Sequence, residues 1–360
     1  MKPNRYVAAM AAYALPDLSV PAGKRPVLLA QNESAIAPSP AAMEAARMAL
    51  AQARFYSDSE WTDLRAGIAE VHGLDPALIL CGAGSMELIQ ALGLAYLHRG
   101  VRALSTAHGY LYFRTVAQLA GATLDLAPET EFTVDVDELL AAVRPETAMV
   151  FVANPGNPTG TRIPRDEIVR LREALPDSVM LVIDEAYGEF ADAPGEQVFD
   201  LVARGDTVVL RTFSKVYGLA GMRVGWGVFP PTIGAEIRKV QNPGSIPITS
   251  LAAAAGAMRD QAHMIRVRDE TAARRDRFAG AMRQLGLAVP KSHTNFVLIG
   301  FGSTEKAASA AAALRNEGVV LRPMGGYGLA DCLRATVGSE EDMQIARDMI
   351  ADWVEREGAS

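Results

Sequence analysis

The sequence predicts an α/β fold: a doubly wound, mostly parallel sheet in a large domain, followed by a smaller α+β domain. Three observations predict it. From about residue 78 to 228, short apolar runs alternate with longer segments whose apolar residues recur at helical spacing. The short runs are apolar on both faces, which suits strands covered by helices on each side of a sheet. Near residue 262 the character changes to a long, charge-laced helical stretch followed by a compact mixture of strands and helices.

In chain order, residues 1–40 hold no periodic pattern long enough to stand alone, and they are expected to pack with the small domain. Residues 41–260 are the large domain. Its strand candidates are ALILC (77–81), VRALS (101–105), ATLDLA (122–127), AMVFVA (148–153), VMLVID (179–184), TVVLRT (207–212) and RVGWGV (223–228). Segments such as DEIVRLREAL, amphipathic at helical spacing, lie between them. Residues 261–360 are the small domain. It runs from HMIRVRDETAARRDRFAGAMRQLG through the strand TNFVLIGF, the helix KAASAAAALRNEG and the strands VVLRP and CLRATVG to the helix EEDMQIARDMIADWVERE.

Composition narrows the function. The chain has 360 residues, enough for about two domains at ~100–200 residues each. Its formal net charge is -7 and its basic residues are scattered, so it carries no nucleic-acid footprint. The two cysteines, Cys81 and Cys332, form neither a disulfide framework nor a CxxC metal motif, and the five histidines lack ligand spacing. No run approaches a membrane span. The opening MKPNRYVAAMAAYAL is cut off by Pro16 and Asp17 and lacks a signal-peptide cleavage site, so a cytoplasmic protein is expected.

Ligands of open α/β sheets bind beyond the carboxyl ends of the strands. After ALILC, the Gly-rich turn GAGSMELIQ enters a helix, and Gly84, Ser85 and Met86 make a candidate phosphate cradle. It is not GxGxxG, because Glu87 takes the sixth place. After AMVFVA, NPGNPTG is a rigid turn that presents the Asn157 amide. After VMLVI comes Asp184 of DEAYGEF, a buried acid in need of a cationic or proton-donating partner. A Walker B reading would require an upstream GxxxxGK[ST] loop, and none exists. After TVVLRT come Ser214 and Lys215, with Arg223 eight residues beyond the lysine. A buried ammonium is costly, and that cost disappears if Lys215 condenses with an aldehyde. A cradle, an amide, an acid and a lysine on successive strand ends describe a site for pyridoxal 5'-phosphate.

NPGNPTG, DEAYGEF and the SK-x7-R spacing of Ser214, Lys215 and Arg223 resemble the fold-type I, class I/II aminotransferases over essentially the whole chain. NESAIAPSP, PKSHTNFVLI and VVLRPMGGYGLADCLRATVG are most similar to the histidinol-phosphate aminotransferase branch. The resemblance implies that Lys215 binds the cofactor covalently and then shuttles a proton, that Asp184 pairs with the pyridine nitrogen, and that Asn157 and Tyr187 bond its phenolic oxygen. It implies stacking by Tyr110, and phosphate contacts from Ser85, Ser214, Arg223 and the Tyr56 of a neighbouring subunit, hence a homodimer. It places the substrate on Arg334, Asn32, Arg322 and Tyr13, with Arg322 on a phosphate. The expected reaction moves an amino group from histidinol phosphate, or an aromatic or other amino acid, to a 2-oxo acid such as 2-oxoglutarate. A decarboxylase of the threonine-phosphate type and a cofactor-binding regulator without turnover are the rival expectations.

Overall fold

The computed structural model describes residues 1–12, 16–193 and 195–358. Its strands are β1 (Val27–Leu29), β2 (Ile79–Gly82), β3 (Arg102–Thr106), β4 (Thr123–Ala127), the small hairpin β5 (Glu129–Thr130) and β6 (Thr133–Val134), β7 (Thr147–Ala153), β8 (Met180–Asp184), β9 (Thr207–Thr212), β10 (Gly225–Val228), β11 (Phe296–Gly300), β12 (Val319–Met324) and β13 (Leu329–Thr336). Seven of them form one sheet in the order β2-β10-β9-β8-β7-β3-β4. All run parallel except β10, which is antiparallel to both neighbours. The seven apolar runs of the sequence are these seven strands.

Their ends shift where the backbone demands it. ALILC begins as a short 3-10 turn, Pro76–Leu78, because Pro76 has no N–H to give a sheet and the Asp75 side chain accepts from the Ala77 amide at 2.8 Å. RVGWGV starts its strand only at Gly225, since Arg223 takes φ 53°, a left-handed conformation outside the strand region. The central strands β7, β8 and β9 are buried on both faces, as their composition requires. The edge strand β4 is an exception: Leu126 is exposed there, although ATLDLA reads as apolar on both faces.

A second sheet, in the order β1-β12-β13-β11, closes around its own apolar cluster of Phe278, Val297, Leu321, Ile350 and their neighbours. β1 pairs parallel with β12, Val27 against Val319. Three residues are too few to show a period, so this strand was invisible in the sequence. The N-terminal segment is also divided between the large body and the small sheet. The Arg5–Ala8 turn of helix lies by Gly121 of the large body, where a Cβ would stand 3.4 Å from the Tyr6 ring, whereas residues 27–29 join the small sheet. The long helix Gln261–Gln284 starts at Asp260, whose side chain accepts from the His263 amide at 3.2 Å.

Candidate active site

The parallel strands point their carboxyl ends the same way, and a cavity of about 340 Å³ lies there. Ala153 at the end of β7, Asp184 at the end of β8 and Thr212 at the end of β9 line it, together with Arg322 of β12 and Arg334 of β13. The volume is within the usual ~300–1,000 Å³ of small-molecule sites.

Most of the residues expected to act together meet in this cavity. Asn32, Ser85, Met86, Tyr110, Asn157, Asp184, Tyr187, Ser214, Lys215, Arg223, Arg322 and Arg334 all line it, and Gly84 adjoins Ser85. Tyr56 does not: it is fully exposed and outside the lining of its own chain's cavity. Tyr13 lies outside the described residues.

The cradle follows from local geometry. The helix Ser85–Tyr96 begins without a side-chain cap, and Ser85 and Met86 on its first turn line the cavity, so the positive end of the helix lies at the cavity wall. Glu87 steadies the turn by accepting from the Ala83 amide and, at 2.7 Å, from the Ser245 hydroxyl. Gly84 has φ 81°, and a Cβ on it would meet Arg223 Nη2 at 2.4 Å. A Cβ on Gly225 would meet the Ser85 amide nitrogen at 2.2 Å. Only glycine at both places lets the helix start, β10 and the Arg223 guanidinium converge. Arg223 Nη1 donates to Ser214 Oγ at 3.3 Å, and the Thr212 hydroxyl joins the same group, 3.0 Å from Ser214 Oγ.

Strand alternation separates function from support. Asp184 faces the cavity, while its neighbour Glu185 faces the opposite side of the sheet. There Glu185 accepts from Arg211 of β9, whose next residue, Thr212, again faces the cavity. Arg211 is fully buried and also donates to Asp192 at 2.8 and 2.9 Å. Breaking such a buried pair typically costs about 3–5 kcal/mol, so this cluster anchors the strand ends that carry Asp184 and Lys215. The sequence shows the acids in DEAYGEF but gives no sign that Arg211 lies behind them.

Burial sets the charges. Asp184 is pushed up to about 6, first by desolvation and then by Glu185, although the Ala186 amide donates to its Oδ1 at 3.0 Å. Lys215 is pulled down to about 8, first by desolvation and then by the cations Arg334 and Arg223. Its amine is therefore far easier to deprotonate than a free lysine. Burial also raises the Tyr187 phenol well above its ordinary value.

Asn32 joins the parts. Its Nδ2 donates to Tyr187 Oη at 2.8 Å, its backbone N–H donates to Thr336 Oγ1 at 2.9 Å, and its carbonyl accepts from Lys215 Nζ at 3.1 Å. The φ of 55° that aims these groups is one asparagine tolerates better than most residues. Asn295 Nδ2 secures the same carbonyl at 3.1 Å. Asn157 Oδ1 accepts from Arg334 Nη1 at 2.5 Å, linking the NPGNPTG turn to β13. Thr212, Tyr327 and Glu33 also line the cavity, and sequence reasoning assigned them no site role. The one signal that could have found Thr212 is its hydroxyl at the end of TVVLRT, two residues before Ser214.

Residues 24–350 match the family model described as aminotransferase class I and II. The chain belongs to the class I and II aminotransferases. A histidinol-phosphate aminotransferase of Rhodospirillum centenum is 42% identical over 355 residues, 98% of each chain. One from Ruegeria pomeroyi is 40% identical over 329 residues, 91% of each. The crystal structure of histidinol-phosphate aminotransferase from Sinorhizobium meliloti in complex with pyridoxal-5'-phosphate superposes with a TM-score of 0.87 at 29% identity, covering 92% of this chain and 91% of that one. This aminotransferase has the residues its cofactor, pyridoxal 5'-phosphate, requires. The uncapped helix start, Ser214 and Arg223 suit the phosphate, Asp184 suits a protonated ring nitrogen, and Lys215 supplies an amine that burial keeps reactive. Among the described residues, no helix is long and apolar enough to cross a membrane and no cluster could hold a metal ion.

Proposed function

We propose that this aminotransferase moves an amino group from histidinol phosphate to a 2-oxo acid such as 2-oxoglutarate. The observation that carries the reading is the register of β12 on β13: Arg322 lies directly opposite Arg334, and both line the cavity. Like charges opposite each other on a sheet are destabilising, and a shared anion relieves the repulsion. A phosphate monoester on the donor is such an anion, and the γ-carboxylate of glutamate is a second. The names of the relatives favour histidinol phosphate over an aromatic donor, and they do not favour the decarboxylase alternative.

In this reading Lys215 takes the proton from the donor carbon and returns one at the cofactor, which, when bound, supplies an electron sink for the carbanion charge. Asp184 holds the ring nitrogen protonated, and Asn157 and Tyr187 orient the ring from the phenolic side while Tyr110 covers it. Met86, on the first turn of its helix, offers a backbone amide to the phosphate beside Gly84, Ser85, Ser214 and Arg223. Asn32 lies beside the substrate; Arg322 and Arg334 share the phosphate of histidinol phosphate, and for glutamate Arg334 holds the α-carboxylate while Arg322 holds the γ-carboxylate. The donor leaves as its oxo form, and the oxo acid leaves as an amino acid.

The test is a set of half-reactions with the holoenzyme, followed by loss of cofactor absorbance on amination. Histidinol phosphate and glutamate should bleach it fastest, with Phe, Tyr, Asp and Leu slower. Arg322→Ala should cost histidinol phosphate and glutamate roughly 10–100-fold and Phe little, because the phosphate of the one and the γ-carboxylate of the other reach Arg322, whereas Phe carries only the α-carboxylate that Arg334 holds. Equal losses across the set would remove Arg322 as the distal-anion site.

The same reading makes the enzyme a cytoplasmic homodimer, each chain with a large domain near 41–260, a small domain near 261–360 and an N-terminal segment, 1–40, that packs on them. Met43, Met48, Leu50, Phe55 and Tyr56 are all exposed within one short stretch, an apolar surface that suits a second copy of the chain. Tyr56 would reach the neighbour's cofactor phosphate from there. Sedimentation should give a dimer, and Tyr56→Phe should weaken cofactor retention without dissociating it; a monomer of full activity would reject the composite site.

A further inference from the structure

We infer that Glu33 is a specificity-determining residue whose side chain receives the imidazole of the amino donor. The inference rests on the histidinol-phosphate reading above and names the residue that reads the part of the donor not yet accounted for.

The donor has three polar handles: an amine, a phosphate and an imidazole. The amine must reach the place of Lys215, and the phosphate fits Arg322 and Arg334. The imidazole still needs an acceptor for its N–H. Among the described residues that line the cavity, only Asp184 and Glu33 carry carboxylates. Asp184 is almost wholly buried at the strand end and is engaged by the Ala186 amide, which leaves Glu33.

Glu33 is built for this task in two respects. Its backbone is fixed, since Asn295 Nδ2 donates to the Glu33 carbonyl at 3.2 Å and Asn32 beside it is tied to Thr336. Its side chain is exposed, and among the described residues its carboxylate makes no hydrogen bond or ion pair. A carboxylate held at a cavity wall among Lys215, Arg223, Arg322 and Arg334, yet unpaired, is available to a ligand. Its charge is already felt at Lys215, where it opposes the downward shift caused by burial. The second substrate has no donor for this position, since apart from the amine of glutamate, which takes the place of Lys215, glutamate and 2-oxoglutarate carry only acids, so Glu33 discriminates between the two half-reactions.

The experiment compares the holoenzyme with Glu33→Gln, which keeps shape and removes charge. Three substrates are used: histidinol phosphate, phenylalaninol phosphate, which lacks the ring N–H, and glutamate. Expected is a roughly tenfold fall in kcat/KM for histidinol phosphate, carried by KM, with less than about twofold for the other two, as loss of one charge-assisted hydrogen bond predicts. Equal losses on all three, or no loss on histidinol phosphate, would overturn the role of Glu33 while leaving the donor intact. A wild-type enzyme that fails to aminate its cofactor from histidinol phosphate at all would instead sink the donor reading, and Glu33's role with it.

Discussion

Lys215→Ala should abolish transamination, with a fall in kcat of about 10⁴-fold or more, because in the proposed mechanism one side chain both binds the cofactor covalently and moves the proton. The fold should survive, since the substitution shortens a half-buried side chain at a cavity wall rather than in the packed core. Borohydride treatment of the wild-type holoenzyme should fix pyridoxal phosphate on the peptide that contains Lys215, and it should fix nothing on the variant. Full retained activity would remove this lysine from the mechanism. The amine also sets a pH dependence. Its folded value of about 8 lies below the ordinary 10.5, so the neutral amine appears in the folded protein at lower pH. Capture of added pyridoxal phosphate by apoenzyme should therefore accelerate as pH rises through about 8. The sign for stability is the same: burying the ammonium costs most below pH 8, and the cost fades between 8 and 10.5.

Asp184→Asn should lower kcat by about 10³-fold while cofactor binding persists, because the amide keeps the shape but lacks the charge that, in the proposed mechanism, holds the ring nitrogen protonated. A variant with near wild-type kcat would show that the electron sink does not depend on this acid. The apoenzyme offers a second readout. Burial raises Asp184 from 3.8 to about 6, so above pH 6 the folded state carries a carboxylate it disfavours. Apo-Asp184→Asn should accordingly melt higher than the wild type above pH 6, and the difference should shrink as pH falls from 6 toward 3.8, where the wild-type acid is protonated in both states. A constant difference in Tm across that range would contradict the assigned cause.

Legibility in the sequence followed the range of the forces involved. The seven strands were readable because a buried parallel strand is apolar at nearly every position, and Gly84, Asp184 and Lys215 were readable as candidates because each falls at, or within three residues of, the carboxyl end of one. Arg211 was not readable as the partner of Glu185, since the two are far apart in sequence and meet only when β8 and β9 pair. The strand β1 was not readable because its three residues gain their partner only from β12.

By itself the sequence determined the sheet, the cofactor and the chemistry, because turn glycines, an acid and a lysine at strand ends are local choices with few other physical explanations. Tertiary structure decided who faces whom. It set Arg322 opposite Arg334, drew Arg334 onto Asn157, and folded the left-handed Asn32 between Lys215, Tyr187 and Thr336. The first of these is set by the register of two neighbouring strands, β12 on β13; the others join segments separated by more than a hundred residues, and no spacing along the chain encodes a meeting that only the packing of the two sheets brings about.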